Sequence, residues 1–132
     1  MSPAGIFSTP SIQSLSLALD ESALRQQAIS SNIANVNTPG FKRLDVSSSF
    51  ESAFKDALGN LGDGGTVDSS MMPTGSISQA ADQGPARPDG NTVQLETEVL
   101  GLAQNSARYE FASEMLANNF HGMKAAISGN VG

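Results

Sequence analysis

The 132-residue chain has 13 acidic and 7 basic side chains, a formal charge of −6, no Cys or Trp, one Tyr, one His and 13 Gly. Disulfide scaffolds, thiol enzymes and Cys-ligated zinc sites are excluded by that composition, and the acidic balance argues against non-specific nucleic-acid binding and against a basic membrane-surface helix. Leu, Ile, Val and Phe number 29 of 132, about 22 %, so one thin core built partly from the 19 Ser and 16 Ala is the most the chain can bury.

Residues 11–36 contain no Gly and no Pro. Ile12, Leu15, Leu19, Ser22, Gln26, Ile29, Ile33 and Val36 recur in steps of three and four, which predicts an amphipathic helix with an a/d seam. Leu17 and Leu24 sit one heptad apart on the opposite side, where a solvated helix would carry Lys or Glu. Pro39 biases Thr38 away from helical geometry, so the helix stops near Val36. Pro39-Gly40 suits a tight turn, Asn35 and Asn37 can serve the last carbonyls, and Phe41 can fold back as an apolar anchor.

Ser48-Ser49-Phe50-Glu51 has capping-box spacing. Phe50, Phe54, Leu58 and Leu61 then predict a short amphipathic helix over about 48–60, closed by Gly59 and Gly62. Residues 62–92 hold six Gly and three Pro and read as a long loop that orders against neighbours. From 93 to about 128 the helical period returns through Leu95, Val99, Leu102, Ser106, Tyr109, Ser113, Leu116, Phe120, Met123 and Ile127. Leu100, Phe111 and Met115 lie off that seam, Asp89 or Asn91 can cap the start, and Ser128, Gly129 and Asn130 signal the end.

Length sets the architecture. Some 36 helical residues make a rod of roughly 54 Å, whereas a compact chain of this size has a diameter of only about 36 Å. The molecule is therefore expected to be elongated, and two helices cannot cover apolar residues on several faces of each other. The expected fold is mainly α. Elongated N- and C-terminal helices pack as a coiled-coil-like pair, with a short middle helix and a long Gly/Pro-rich loop. The chain divides into 1–40, 41–92 and 93–132 as parts of one structural unit. Leu15, Leu19, Ile29 and Ile33 are expected against Leu102, Tyr109, Leu116 and Phe120, while Leu17, Leu24, Phe111 and Met115 are expected to meet other subunits or partners.

Catalytic and cofactor readings find little support. His121 has no Cys or second His to work with. Glu96 and Glu98, two residues apart, point to different helical faces, and first-turn pairing with the helix dipole accounts for them better than a carboxylate dyad. Asp63-Gly64-Gly65 with Asp68 lacks the ligand spacing of a calcium loop, and Met71-Met72-Pro73 reads as a loop anchor. No phosphate-binding or dinucleotide fingerprint is present. No catalytic residue, metal or cofactor is expected. No run of 18 apolar residues exists, so no direct membrane insertion is expected. The first basic residue is Arg25, so no Sec-type signal peptide is expected.

The string Ser31-Asn32-Ile33-Ala34-Asn35-Val36-Asn37-Thr38-Pro39-Gly40-Phe41 is more specific than its turn chemistry. It resembles the N-terminal signature of the flagellar axial protein family of rod, hook and hook-associated proteins. The match, Ala28 to Phe41, stands near the start of the chain, where that family carries it. Within the family, the short length is similar to the proximal rod subunits. So are Lys42-Arg43-Leu44-Asp45-Val46 followed by Phe50, Asp89-Gly90-Asn91-Thr92-Val93 with Leu95, Glu96 and Glu98, and Asn105-Ser106 with Tyr109. Arg108-Tyr109-Glu110 also resembles a motif of the sister proximal rod subtype, which stands as the alternative within the family. The resemblance covers 11–46 and 85–128.

It implies a structural, non-enzymatic subunit of the flagellar basal body. Such a subunit is exported through the flagellar type III apparatus without a cleaved signal peptide and polymerises in the periplasmic rod. Its implied partners are copies of itself, other rod proteins, the MS ring and export-gate components, with no nucleic acid. A cytoplasmic helical export chaperone is the reading from another class.

Overall fold

The computed structural model describes residues 10–65 and 76–128. Asp68, Met71-Met72-Pro73, Gly129 and Asn130 lie outside them. Among the described residues the elements in chain order are α1 (Pro10–Ala34), β1 (Leu44–Val46), α2 (Ser48–Gly62), β2 (Ile77–Gln79) and α3 (Leu95–Ile127). The fold is mainly helical. The long terminal helices α1 and α3 pack together antiparallel: Asn32 meets Glu98, Ile29 lies against Gly101, and Ser22 and Gln26 meet Asn105. With 33 residues, α3 is about 50 Å long, longer than a compact chain of this size could contain. None of the described helices is long and apolar enough to cross a membrane.

The seam between the long helices is not the stripe of large apolar residues. On α3 the buried residues are Glu98, Asn105 and Ala112, spaced by heptads. On α1 they include Ile12, Glu21, Ser22, Ala28, Ile29 and Asn32. Gly101 has no side chain, and a Cβ built there would stand 3.6 Å from Ile29 Cδ1, an ordinary contact distance. The α3 side of the seam is thus lined by small and polar residues, and the large side chains of α3 flank it.

Among the described residues the middle segment supplies five of the ten buried apolar side chains. Val46, Phe50, Ala57, Leu61 and Ala80 are buried, and α2 and β1 both pack on α1. Phe50 and Phe54 stack with ring centroids 6.4 Å apart. Burying a side chain such as Phe50 contributes about 2–3 kcal/mol, so this cluster pins the middle segment to α1.

The helix α2 begins one residue earlier in its capping than the Ser48 box predicts. Ser47 is the N-cap, its Oγ accepting from Phe50 N at 3.3 Å. Glu51 does not close a box, because its carboxylate is taken by Arg25. The helix also runs two residues past 60 and ends on Asp63.

The two-stranded antiparallel ribbon was not expected. Leu44, Asp45 and Val46 pair with Gln79, Ser78 and Ile77, so part of 62–92 is ordered against 44–46.

Candidate functional site

The two stretches that carry the family resemblance lie some 50 residues apart in sequence and interlock in space. α1 ends at Ala34, and the last carbonyls of any helix lack intrahelical donors. Here a side chain from a distant segment serves them. Asn91 Nδ2 donates to Asn35 O at 2.9 Å, Val36 O at 3.2 Å and Thr38 O at 2.8 Å. Its own Oδ1 accepts from Val93 N at 2.7 Å. Arg87 Nη2 also donates to Val36 O. Asn91 is fully buried, and so acts as a C-terminal cap supplied from outside the helix.

The backbones of the two segments are then knitted together. Gly40 N donates to Asp89 O at 2.8 Å and Thr92 N to Phe41 O at 3.1 Å. Lys42 Nζ reaches Gly90 O at 2.8 Å, and Arg43 N donates to Thr92 Oγ1 at 2.8 Å. Gly40 and Gly90 both have positive φ, 74° and 85°, a region that L side chains rarely adopt. They also lie side by side, so that a Cβ added to Gly90 would meet Gly40 Cα at 3.4 Å. The Pro-Gly turn and the Asp-Gly-Asn turn are therefore two halves of one joint.

A buried polar node sits beside this joint. Glu98 is 2 % exposed. Arg43 Nε donates to its Oε1 at 2.8 Å, and Asn32 Nδ2 to its Oε2 at 3.1 Å. Asn32, fully buried, also donates to Leu44 O and accepts from Leu44 N, both at 2.8 Å. One asparagine of the signature thus ties α1 to the start of the ribbon and to α3. A buried carboxylate with a guanidinium and an amide partner holds its geometry tightly, although its net contribution to stability is small.

A second node joins α1 to the middle segment. Arg25 contacts Glu21 at 2.5 Å, Glu51 at 2.6 Å and Asp45 at 3.0 Å. Burial alone would push its guanidinium down, but the hydrogen bonds and charges of Glu21, Glu51 and Asp45 outweigh that and raise it above the ordinary arginine value. A raised value means that the stabilisation is fully present below the ordinary arginine range. It is lost only as pH rises through the folded value, so Arg25 stays charged throughout the neutral range.

Asn32, Asn91, Thr92 and Val93 of the signatures are buried, Ile33, Asn35, Phe41 and Gly90 are intermediate, and Ala34, Thr38, Pro39, Gly40 and Asp89 are exposed. Asp89 and Asn91 do not cap α3, whose N-cap is Gln94, with no side-chain bond to the helix backbone. Asp89 Oδ1 instead accepts from Asn91 N at 3.0 Å within the turn.

Of the residues expected in the helix pair, Ile29 is buried, and Leu15, Leu19, Ile33, Leu102 and Leu116 are intermediate. Tyr109 and Phe120 stand at the flank, 48 % and 41 % exposed. Leu17 and Leu24 are intermediate, whereas Phe111 is 65 % and Met115 39 % exposed. Sequence reasoning missed Glu98 and Asn105 as seam residues, and Arg25 and Arg43 as the hubs of the two nodes. For Glu98 the dipole reading is incomplete: the carboxylate is spent on Arg43 and Asn32. Among the described residues no group of three or more His, Asp or Glu is placed to hold a metal ion.

Two elongated helices, joined by a rigid polar clamp and carrying apolar side chains on the outside, define a helical assembly subunit. Comparison with known proteins agrees. A family model described as flagella basal body rod protein matches residues 12–42. The chain is 30 % identical over 122 residues to the flagellar basal body rod protein FlgB of Bacillus subtilis (strain 168), covering 89 % of this chain and 93 % of the relative. It is 32 % identical to the proteins of the same name from Aeromonas hydrophila and Salmonella typhimurium (strain LT2), with 85 % of this chain and 88 % of each relative covered. The chain belongs to the FlgB family of flagellar basal body rod proteins.

Proposed function

We propose that the chain is a structural subunit of the proximal rod of the flagellar basal body, polymerising through its terminal helices to form part of the drive shaft. The observation that carries this reading is the outer surface of α3. Leu95, Val99, Leu100, Tyr109, Phe111 and Met115 are each at least 39 % exposed. Apolar surface of that extent on an elongated helix marks an interaction site. In this reading Leu17, Leu24, Phe111 and Met115 meet neighbouring subunits. The joint between the 31–41 and 87–93 segments sets the angle at which the helices are presented.

The three stretches 1–40, 41–92 and 93–132 then act as one unit. Partners are copies of this chain, other rod proteins, the MS ring and export-gate components. The protein does no catalysis, lies in the periplasmic part of the basal body, and reaches it through the flagellar export route with its N-terminus uncleaved.

Intact-mass spectrometry of purified basal bodies tests this. The expected result is a species that retains the N-terminal residues of this chain, less at most Met1. Its absence from basal bodies, or a species lacking a leader-sized N-terminal piece, contradicts the reading.

A further inference from the structure

We infer that Phe111 of one copy inserts into the cleft between α1 and α3 of the next copy, so that the contact runs head to tail. The inference rests on the rod-subunit reading and adds to it the geometry of one contact. Phe111 is 65 % exposed. A cleft of 370 Å³ opens between α1 and α3, walled by Ala23, Gln26, Ser106, Tyr109 and Glu110. The Tyr109 ring, the Ala23 methyl and the aliphatic stems of Gln26 and Glu110 make it hospitable to an aromatic ring.

Knob and cleft lie at the same height on opposite sides of one helix. At about 100° per residue, Phe111 stands roughly 160° from Tyr109 and roughly 140° from Ser106 around α3. A subunit cannot fill its own cleft with its own Phe111.

Charge selects a second copy as the occupant. Arg108 lies three residues before Phe111 and shares its side of the helix. Neither Arg108 nor Glu110 forms an ion pair among the described residues. Glu110 sits on the cleft wall, so seating Phe111 in a neighbour's cleft brings the free guanidinium toward the neighbour's free carboxylate. Knob and cleft are different surfaces, so the contact is heterologous. Each added copy leaves one knob and one cleft open, which generates a ring or a helical array and not a closed two-fold dimer.

The chain has no Cys, which gives a clean background for cross-linking. Ala23 on the cleft wall and Ala107, one turn before Phe111, are both exposed, so Cys at either position disturbs little. In basal bodies built from the Ala23→Cys/Ala107→Cys chain, a short bis-maleimide is expected to give a ladder of dimers, trimers and longer species. The single variants are expected to give none. Dimers from Ala107→Cys alone, or no ladder from the double variant, overturn the contact while leaving the rod reading standing. As a second measurement, Phe111→Ala should preserve the helicity of the purified subunit and reduce the number of assembled rods by roughly tenfold or more, as removal of an aromatic hot spot does. Rods at wild-type number in that strain also overturn it.

Discussion

Replacing Asn91 with Ala is expected to lower the stability of the purified subunit by about 3 kcal/mol. One amide group donates to three carbonyls at the end of α1 and receives the Val93 N–H. Asn35 O and Thr38 O each keep a backbone partner, Thr38 N and Phe41 N, so their loss is partial. The Val93 N–H is different. It lies in a residue 1 % exposed, and removing its acceptor costs about 1–3 kcal/mol by itself. Asn91→Asp should be worse than Asn91→Ala, because it sets a carboxylate oxygen against the same three carbonyls. Urea unfolding followed by far-ultraviolet circular dichroism reads both. A loss below about 1 kcal/mol for Asn91→Ala would mean that the external cap is not what holds the joint.

The second large effect is at Arg43. Arg43→Leu strands the buried Glu98 carboxylate, and breaking a buried pair from one side costs about 3–5 kcal/mol. Asn32 still reaches Glu98, which places the expected loss toward the lower end. Arg43 also donates to Asp82 O, and its own carbonyl accepts from Ala80 N and Gln83 Nε2. Only the side-chain bonds are lost on substitution. The diagnostic comparison is the double variant Arg43→Leu/Glu98→Leu, which removes both charges. It should be more stable than Arg43→Leu alone, since no uncompensated charge remains. A double variant less stable than either single would show that the node works through shape and not through charge pairing.

These two variants probe the polar features that periodicity does not reveal. The long helices were legible because their apolar residues recur at helical spacing with no internal Pro. The α1 side of their mutual seam was partly legible, since Ile12, Ser22 and Ile29 of the predicted stripe are buried, but the α3 side was not, because hydropathy marks large apolar side chains and that side is made of Glu98, Gly101, Asn105 and Ala112. Leu95, Val99 and Tyr109 satisfy the same periodicity while standing outside. A buried glutamate reads in sequence as a solvated first-turn charge, and only its partner, 55 residues away, makes burial tolerable.

The ribbon escaped for a related reason. Strands of three residues carry too few alternations to register as a period. The motifs, by contrast, were legible as motifs but not as a pair. Nothing in Asn-Thr-Pro-Gly announces that Asp-Gly-Asn-Thr-Val will cap it. The hint available was chemical: a helix ending in a Pro-Gly turn leaves carbonyls that need donors, and Asn91 and Arg87 are donors in a turn-rich segment.

The joint also suggests how a thin core suffices for a shaft component. The buried apolar residues are split between the middle segment, with Val46, Phe50, Ala57, Leu61 and Ala80, and the helix seam, with Ile12, Ala28, Ile29 and Ala112. Side-chain and backbone hydrogen bonds between distant segments are concentrated where the two signature turns lock, near residues 32–44 and 87–98. In the proposed rod subunit the exposed apolar surface of α3 is left to assembly.

The most direct test of the central claim is electron microscopy of basal bodies from a strain lacking this gene. MS rings without a rod are expected, with rods restored by the wild-type gene. Rods of normal length and number in the deletion strain would contradict it.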